Sequence, residues 1–212
     1  MLSLLPQFSD RVDIRFLGKT DDRTIPDPHV RLHQVHGNRV IVVRKAMESE
    51  ERADGVITDH VGLHLTARAA DCQNFAVYAP DSHVAGVLHV GWRGLIAGAI
   101  PEFFAALKRE FNIAAEDTYV ATGPSLCLRC AEFKDPTHEV RVHADAIYVH
   151  GDCVDLAMMA NDQLIAAGVH PDWTTRHPDC TRCMPERYFT YRGGDRELVA
   201  SGVSNILVCT LR

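Results

Sequence analysis

The feature that most constrains this chain is a change of hydrophobic period at Gly94. Before it, Val61 to Arg68, Phe75 to Ala79 and Val84 to His89 are short β-rich runs separated by turn residues. Their spacing predicts neighbouring strands of one sheet. After it, Leu95, Ile96, Ala99, Phe103, Phe104, Leu107 and Phe111 follow helical spacing. A chain that switches from period two to period 3.6 at a glycine-punctuated corner mixes strands and helices.

The rest of the chain fits that reading. Val12 to Phe16 alternates like a strand, and Thr20 to Pro28 is a turn-rich loop. Arg39 to Arg44 predicts a strand, and Met47 to Arg52 an acidic connector. Pro101 should kink the helix after Gly94 or delay its regular part. Tyr119 to Ala121 is a short strand, Val154 to Ala167 a helix ended by Gly168, and Asn205 to Cys209 a final strand. With no repeat and no linker, we read one α/β domain over residues 1–212. The strands are too short, and too irregularly spaced from the helices, for a doubly wound sheet.

Composition narrows the function. Lys and Arg total 22 against 28 Asp and Glu, a net charge of −6 with no basic stripe, so a nucleic-acid binder is not expected. No run of about 18 apolar residues exists to span a membrane. Met1 to Pro6 lacks the basic and apolar regions of a secretory signal. The 7 cysteines are an odd number, which favours a reducing compartment, and the expected location is the cytoplasm. The 12 histidines raise the prospect of a metal or acid–base site.

Three segments could carry chemistry. His89-Val-Gly-Trp-Arg-Gly94 ends a strand and opens a helix, so Arg93 sits where an anion such as phosphate is favoured. The bland alternative has Trp92 in the core and Arg93 solvated. Ala70-Asp-Cys72 places a cysteine at a strand end, as a nucleophile, a metal ligand or simply a packed thiol. In His33-Gln-Val-His-Gly37, an extended backbone sends the two histidines opposite ways, so one of them at most enters a given site. Two histidines and one cysteine from these segments make a catalytic-type zinc set with one open position. They equally make a thiol–imidazole hydrolase with Cys72 as nucleophile. A rival metal reading uses Cys127-Leu-Arg-Cys130 and Cys180-Thr-Arg-Cys183. The 49 residues between these pairs exceed the roughly 15–20 of a zinc ribbon, so packed thiols are the competing account.

Taken together, His33-Gln-Val-His-Gly37, Ala53-Asp-Gly55 with Thr58, Ala70-Asp-Cys72 and His89-Val-Gly-Trp-Arg-Gly94 resemble the YfiH-like family. It is also called the laccase-domain or multicopper polyphenol oxidase family, and includes the peptidoglycan editing factor. Gly123-Pro124, Cys130-Ala-Glu-Phe133, Asp155-Leu156, Asn161 to Leu164, and Asp179-Cys-Thr181 leading to Tyr188 to Arg192 extend the likeness to the C-terminus. The resemblance implies an α/β/β/α sandwich and a zinc site, copper in older descriptions, with ligands corresponding to His36, Cys72 and His89. It implies phosphorolysis of adenosine, inosine, guanosine and methylthioadenosine, and deamination of adenosine. On that basis Cys72, His89 and Asp71 are the expected catalytic residues. Arg93, His33 and Gly91 are expected at the nucleoside or phosphate.

The chain also departs from the family pattern. Residues 1–30 look shortened, Ala69 stands for the usual Thr, Asn74 for a proline, and Glu197 to Val199 near the usual Thr-Gly-Arg. Two alternatives compete with the purine reading: a copper oxidase of phenols, and a cysteine hydrolase or amidase of peptidoglycan precursors. The chain has no His-x-His, the pattern that holds several coppers in multicopper oxidases. The oligomeric state is left open by the sequence.

Overall fold

Strands that are apolar on both sides need cover on both faces, and this fold provides it by stacking two sheets. The computed structural model describes residues 1–45, 47–140 and 147–212. In chain order the strands are β1 (Leu2–Ser3), β2 (Val12–Leu17), β3 (His29–His33), β4 (Val40–Val42), β5 (Met47–Arg52), β6 (Gly55–Thr58) and β7 (His64–Ala69). Then come β8 (Gln73–Ala79), β9 (Val84–Val90), β10 (Tyr119–Thr122), β11 (Val149–His150), β12 (Cys153–Val154), β13 (Thr174–Arg176) and β14 (Asn205–Leu211). The helices are α1 (Trp92–Ile96), α2 (Ala99–Phe111), α3 (Pro136–Val140), α4 (Leu156–Ala166) and α5 (Arg196–Ala200).

The first sheet has the order β1-β2-β14-β7-β3-β5 and the second β13-β10-β8-β9-β6-β4. Alternate residues of each strand feed different layers. Val87 of β9, Tyr78 of β8, Phe16 of β2, Leu65 of β7 and Leu207 of β14 fill the space between the sheets. Leu88 of β9 and Phe75 and Val77 of β8 point the other way, onto Phe103 and Leu107 of α2 and Met159 and Leu164 of α4. Full burial of a side chain such as Phe103 contributes about 1.5–3 kcal/mol. On the outer face of the first sheet, Leu17, Ile206 and Val208 form a small cluster with Ile25. The expected α/β sandwich of two sheets is the observed architecture, with its main helical layer on the second sheet.

Two expectations are corrected. The three runs before Gly94 do not share one sheet: β7 lies in the first, β8 and β9 in the second. The reason is the Ala70–Cys72 turn, which carries the chain across the sandwich with Asp71 at φ 92°. Met47 to Arg52 is not a connector but β5, parallel to β3 at the edge of the first sheet. An edge strand with charged residues in its sequence discourages further pairing.

Pro101 neither kinks nor breaks α2. The helix ends and restarts at Gly98, whose φ of 76° a side chain would resist, and Pro101 falls in the new first turn. Amide donors there have no intrahelical partner, so the missing N–H costs little. At α4, Asp155 caps the start through the Met158 N–H at 2.8 Å. Among the described residues no helix is long and apolar enough to cross a membrane.

The topology has one consequence for function. Strands β3, β5 and β7 run parallel, so their carboxyl ends lie at one end of the sandwich. From each end the chain crosses to the second sheet, into β4, β6 and β8 respectively. The three crossings carry His36, Asp54 and Cys72.

Candidate functional site

Each crossing delivers one polar side chain to the same point, and β9 delivers a fourth, His89. The ligand-capable atoms of His36, Cys72 and His89 all lie within 4.8 Å of one another. The two imidazole rings meet edge to face, with centroids 4.8 Å apart.

Asp54 organises this arrangement. It is buried, and its Oδ1 sits 2.9 Å from His89 Nδ1. The same carboxylate accepts the backbone N–H groups of Val35 at 3.2 Å, His36 at 2.9 Å and Gly37 at 2.7 Å. These bonds hold His36 at φ 59°, a left-handed conformation that a non-glycine residue adopts only when its surroundings fix it. With Nδ1 occupied by Asp54, His89 presents Nε2 to the site. Such a carboxylate behind a histidine sets its tautomer and orientation for metal binding.

The electrostatics follow. Burial alone pushes the Cys72 thiol up, but hydrogen bonds from His36 and His89 outweigh it and bring the value down to about 6. Burial disfavours charge on His89, yet its bonds to Asp54 and Cys72 prevail and raise it to about 9. Burial likewise pushes the Asp54 carboxyl up, and the His89, Gly37 and Val35 donors reverse that and hold it below its ordinary value.

The residues fit a metal by donor chemistry. Two imidazoles and a thiolate suit zinc or copper, and they leave a position open. Gly91 is part of the fit: a Cβ there would lie 2.9 Å from His36 Cδ2 and 3.0 Å from Cys72 Sγ. Any side chain at 91 would push two of the three donors.

The three residues border a cleft of about 1420 Å³. Its walls carry Arg31, Arg68, Arg93, Lys134, Arg182, Arg192 and Arg196 against only Asp71, Glu132 and Asp152. A chain of net charge −6 therefore concentrates positive charge around one opening. Arg93 is exposed, with its guanidinium 4.1 Å from the Trp92 ring centroid. Trp92 in turn packs edge-on against Phe133 at 5.9 Å. Helix α1 has 5 residues, so its dipole is slight and the arginines dominate the anion field.

Not every sequence candidate converges here. His33 is exposed at the end of β3 and does not line the cleft. Asp71 lines it, but both its carboxylate oxygens are engaged, Oδ1 by the Thr181 hydroxyl at 2.7 Å and Oδ2 by the Arg192 N–H at 2.7 Å. Its geometry is that of a residue positioning the Cys72 turn. Asp54 escaped the sequence reading as a site residue, although the Ala53-Asp-Gly55 motif pointed to it. The cleft residues Arg31, Arg68 and Gln34 had no signal; Gln34 and the Arg68 backbone exchange two hydrogen bonds, at 2.7 and 2.8 Å.

Residues 19–207 match the family model described as multi-copper polyphenol oxidoreductase laccase. A purine nucleoside phosphorylase of Streptomyces coelicolor is 33% identical over 172 residues, covering 77% of this chain and 69% of that protein. A human purine nucleoside phosphorylase is 26% identical over 171 residues, covering 76% of this chain and 39% of its own length. This chain therefore spans well under half of the human relative. The crystal structure of YfiH from Bacillus licheniformis has a TM-score of 0.83 at 18% identity, covering 99% of this chain and 96% of that one. That of YlmD from Geobacillus stearothermophilus has a TM-score of 0.73 at 25% identity, covering 88% and 74%.

Proposed function

This chain belongs to the multi-copper polyphenol oxidoreductase laccase family, and from that premise we propose that it is a metal-dependent purine nucleoside phosphorylase with adenosine deaminase activity. The observation that carries this reading is the meeting of a His36–Cys72–His89 donor set with an arginine-lined cleft. The names of the relatives support a small-molecule, purine nucleoside substrate. The cytoplasm is the proposed location, and the odd count of 7 cysteines agrees with a reducing compartment.

His36, Cys72 and His89 would hold the metal, which we propose is zinc. When bound, the ion supplies Lewis-acid chemistry beside the cleft. Asp54 keeps Nε2 of His89 available and holds the His36 loop, so the donors need little rearrangement. Arg93, with Arg31 and Arg68 of the same cleft, binds phosphate by paired guanidinium bonds. Trp92 and Phe133 give the purine an aromatic edge.

In phosphorolysis a phosphate oxygen bonds to C1′ of the ribose as the C1′–N9 bond breaks. The products are free base and ribose 1-phosphate. The arginines align that phosphate and neutralise its charge, and alignment of this kind is a main source of rate. In deamination, adenosine and water give inosine and ammonia. The Cys72 thiolate beside two imidazoles also has the makings of a nucleophile, which favours the cysteine hydrolase as a second reading.

Chromatography of products decides between them. Metal-replete protein given inosine should release hypoxanthine only with phosphate present, and adenosine should yield some inosine. No base and no inosine, with turnover of a muramyl peptide or a phenol instead, would replace the proposal.

A further inference from the structure

Outside the cleft lining, the two C-x-x-C pairs meet. The sulfurs of Cys127, Cys130, Cys180 and Cys183 lie within 4.8 Å of one another. Cys130 Sγ and Cys183 Sγ are 3.5 Å apart. The Cys127 N–H donates to Cys180 Sγ at 3.3 Å. A bridge between Ser125 and Cys180 and a bond from Thr181 N–H to the Ser125 carbonyl at 3.2 Å set the two segments side by side. Cys130 and Cys180 are buried, Cys127 is half-buried and Cys183 is exposed.

A cysteine used as a small apolar side chain looks different. Cys209 is an example, placed singly among the strands between the sheets. Here four sulfurs converge from segments 49 residues apart. Sulfurs held tetrahedrally about 2.3 Å from a zinc ion are separated by about 3.8 Å, which is the scale of this cluster. We infer that Cys127, Cys130, Cys180 and Cys183 form a second metal site that binds one zinc ion as a closed tetrathiolate.

The donor set selects the ion. Four soft sulfurs disfavour magnesium, calcium and manganese, and tetrahedral geometry suits zinc. Four thiolates on a divalent ion carry a net charge of −2, and each C-x-x-C brackets an arginine, Arg129 and Arg182. Arg182 Nη1 reaches the Cys130 carbonyl at 3.5 Å and the Glu132 carboxylate at 2.8 Å. With four protein ligands no position is left for substrate, so the role is structural.

The hydrogen bonds show what the ion would brace. Thr181, inside the second pair, is the residue whose hydroxyl grips Asp71 Oδ1. Leu126, just before the first pair, donates its N–H to the Asp71 carbonyl at 3.1 Å. Both segments thus clamp the turn that presents Cys72. Leu126 and Arg182 also line the cleft. The tetrathiolate fastens this wall.

Elemental analysis and zinc-edge X-ray absorption test the inference, on full-length protein purified in reducing buffer without added metal. Cys72→Ala/His89→Ala should retain about one zinc per chain, surrounded by four sulfurs at about 2.3 Å. Cys183→Ser, at an exposed position, should lose that sulfur-rich zinc. If the double variant does not fold, the wild type decides, because an average above two sulfurs per zinc is expected there. No zinc in the folded double variant, iron in its place, nitrogen-dominated coordination, about one sulfur per zinc in the wild type, or a Cys130–Cys183 disulfide in peptide maps would each overturn it.

Discussion

Asp54 Oδ1 and His89 Nδ1 lie 2.9 Å apart, with both side chains sealed from solvent. The same carboxylate holds the backbone of residues 35–37, so one residue positions both histidines of the candidate metal set. A carboxylate with two oxygens suits four N–H donors; no neutral side chain of that size does.

Asp54→Asn tests this. Its amide turns a donor toward donors and removes the charge opposite His89. Zinc affinity should fall about 10–100-fold, as for other carboxylates behind metal-binding histidines. Competition with a chromogenic chelator measures it, with circular dichroism to confirm folding. Unchanged affinity in a folded variant would show that Asp54 has no such role.

Gly91→Ala separates site geometry from stability. Position 91 has φ −81°, which alanine adopts freely, so the backbone does not object. The added carbon instead meets His36 Cδ2 and Cys72 Sγ. Overpacking of this kind costs about 1–3 kcal/mol, and here the strain falls on the donors. The expected result is a clear loss of metal affinity and activity with a modest drop in melting temperature. Full metal loading in Gly91→Ala would contradict the tight fit described.

Arg93 is exposed, so its removal should spare the fold. Arg93→Ala should raise the phosphate KM about tenfold or more, since a bond to a charged group is worth roughly 1.5–3 kcal/mol. Arg93→Lys keeps charge but loses the fork and should recover only part of the loss. Steady-state kinetics over a phosphate series provides the comparison. Wild-type phosphate dependence in Arg93→Ala would remove it from the site.

Cys72 offers a pH test in metal-stripped protein. A thiol lowered to about 6 is mostly thiolate above that pH, so alkylation should reach half its maximal rate near pH 6. An ordinary thiol would need a pH near 9. Mass mapping of iodoacetamide adducts across the pH series follows this site among the seven cysteines. Added zinc should protect Cys72, because coordination occupies the sulfur. A rate midpoint near 9 would show that the imidazoles do not act on it.

The sequence made the local elements readable where pattern and cover agree. Strands β2, β10 and β14 and helices α2 and α4 appear where periodicity placed them, with ends moved by a few residues. Sheet membership was not readable, because all three runs have β-strand length and pattern and the Asp71 conformation that sends the chain across has no signal in them. The convergence of His36, Cys72 and His89 was legible as three residue types adjoining strands. Asp54 was not, because a buried carboxylate between two strands looks like a turn residue until its four donors are seen. The Arg-lined cleft was hidden as well, since Arg31, Arg68 and Arg93 come from distant segments of an acidic chain.

The three crossings between sheets give the site a property of its own. His36, Asp54 and Cys72 each sit where the chain leaves one sheet for the other, while His89 ends a strand of the second. The second sheet gathers them: β6 pairs Gly55 with Leu88 of β9, setting Asp54 beside His89, and β8 pairs Gln73 with Val90 of β9, setting Cys72 beside Gly91. The constellation comes into being where four neighbouring strands of the second sheet, β8, β9, β6 and β4, receive the chain from the first, and an ion held there would tie those entry points to one another. Metal occupancy should therefore report on the register of that sheet, present when β8, β9 and β6 are paired as described and missing when any of them slips.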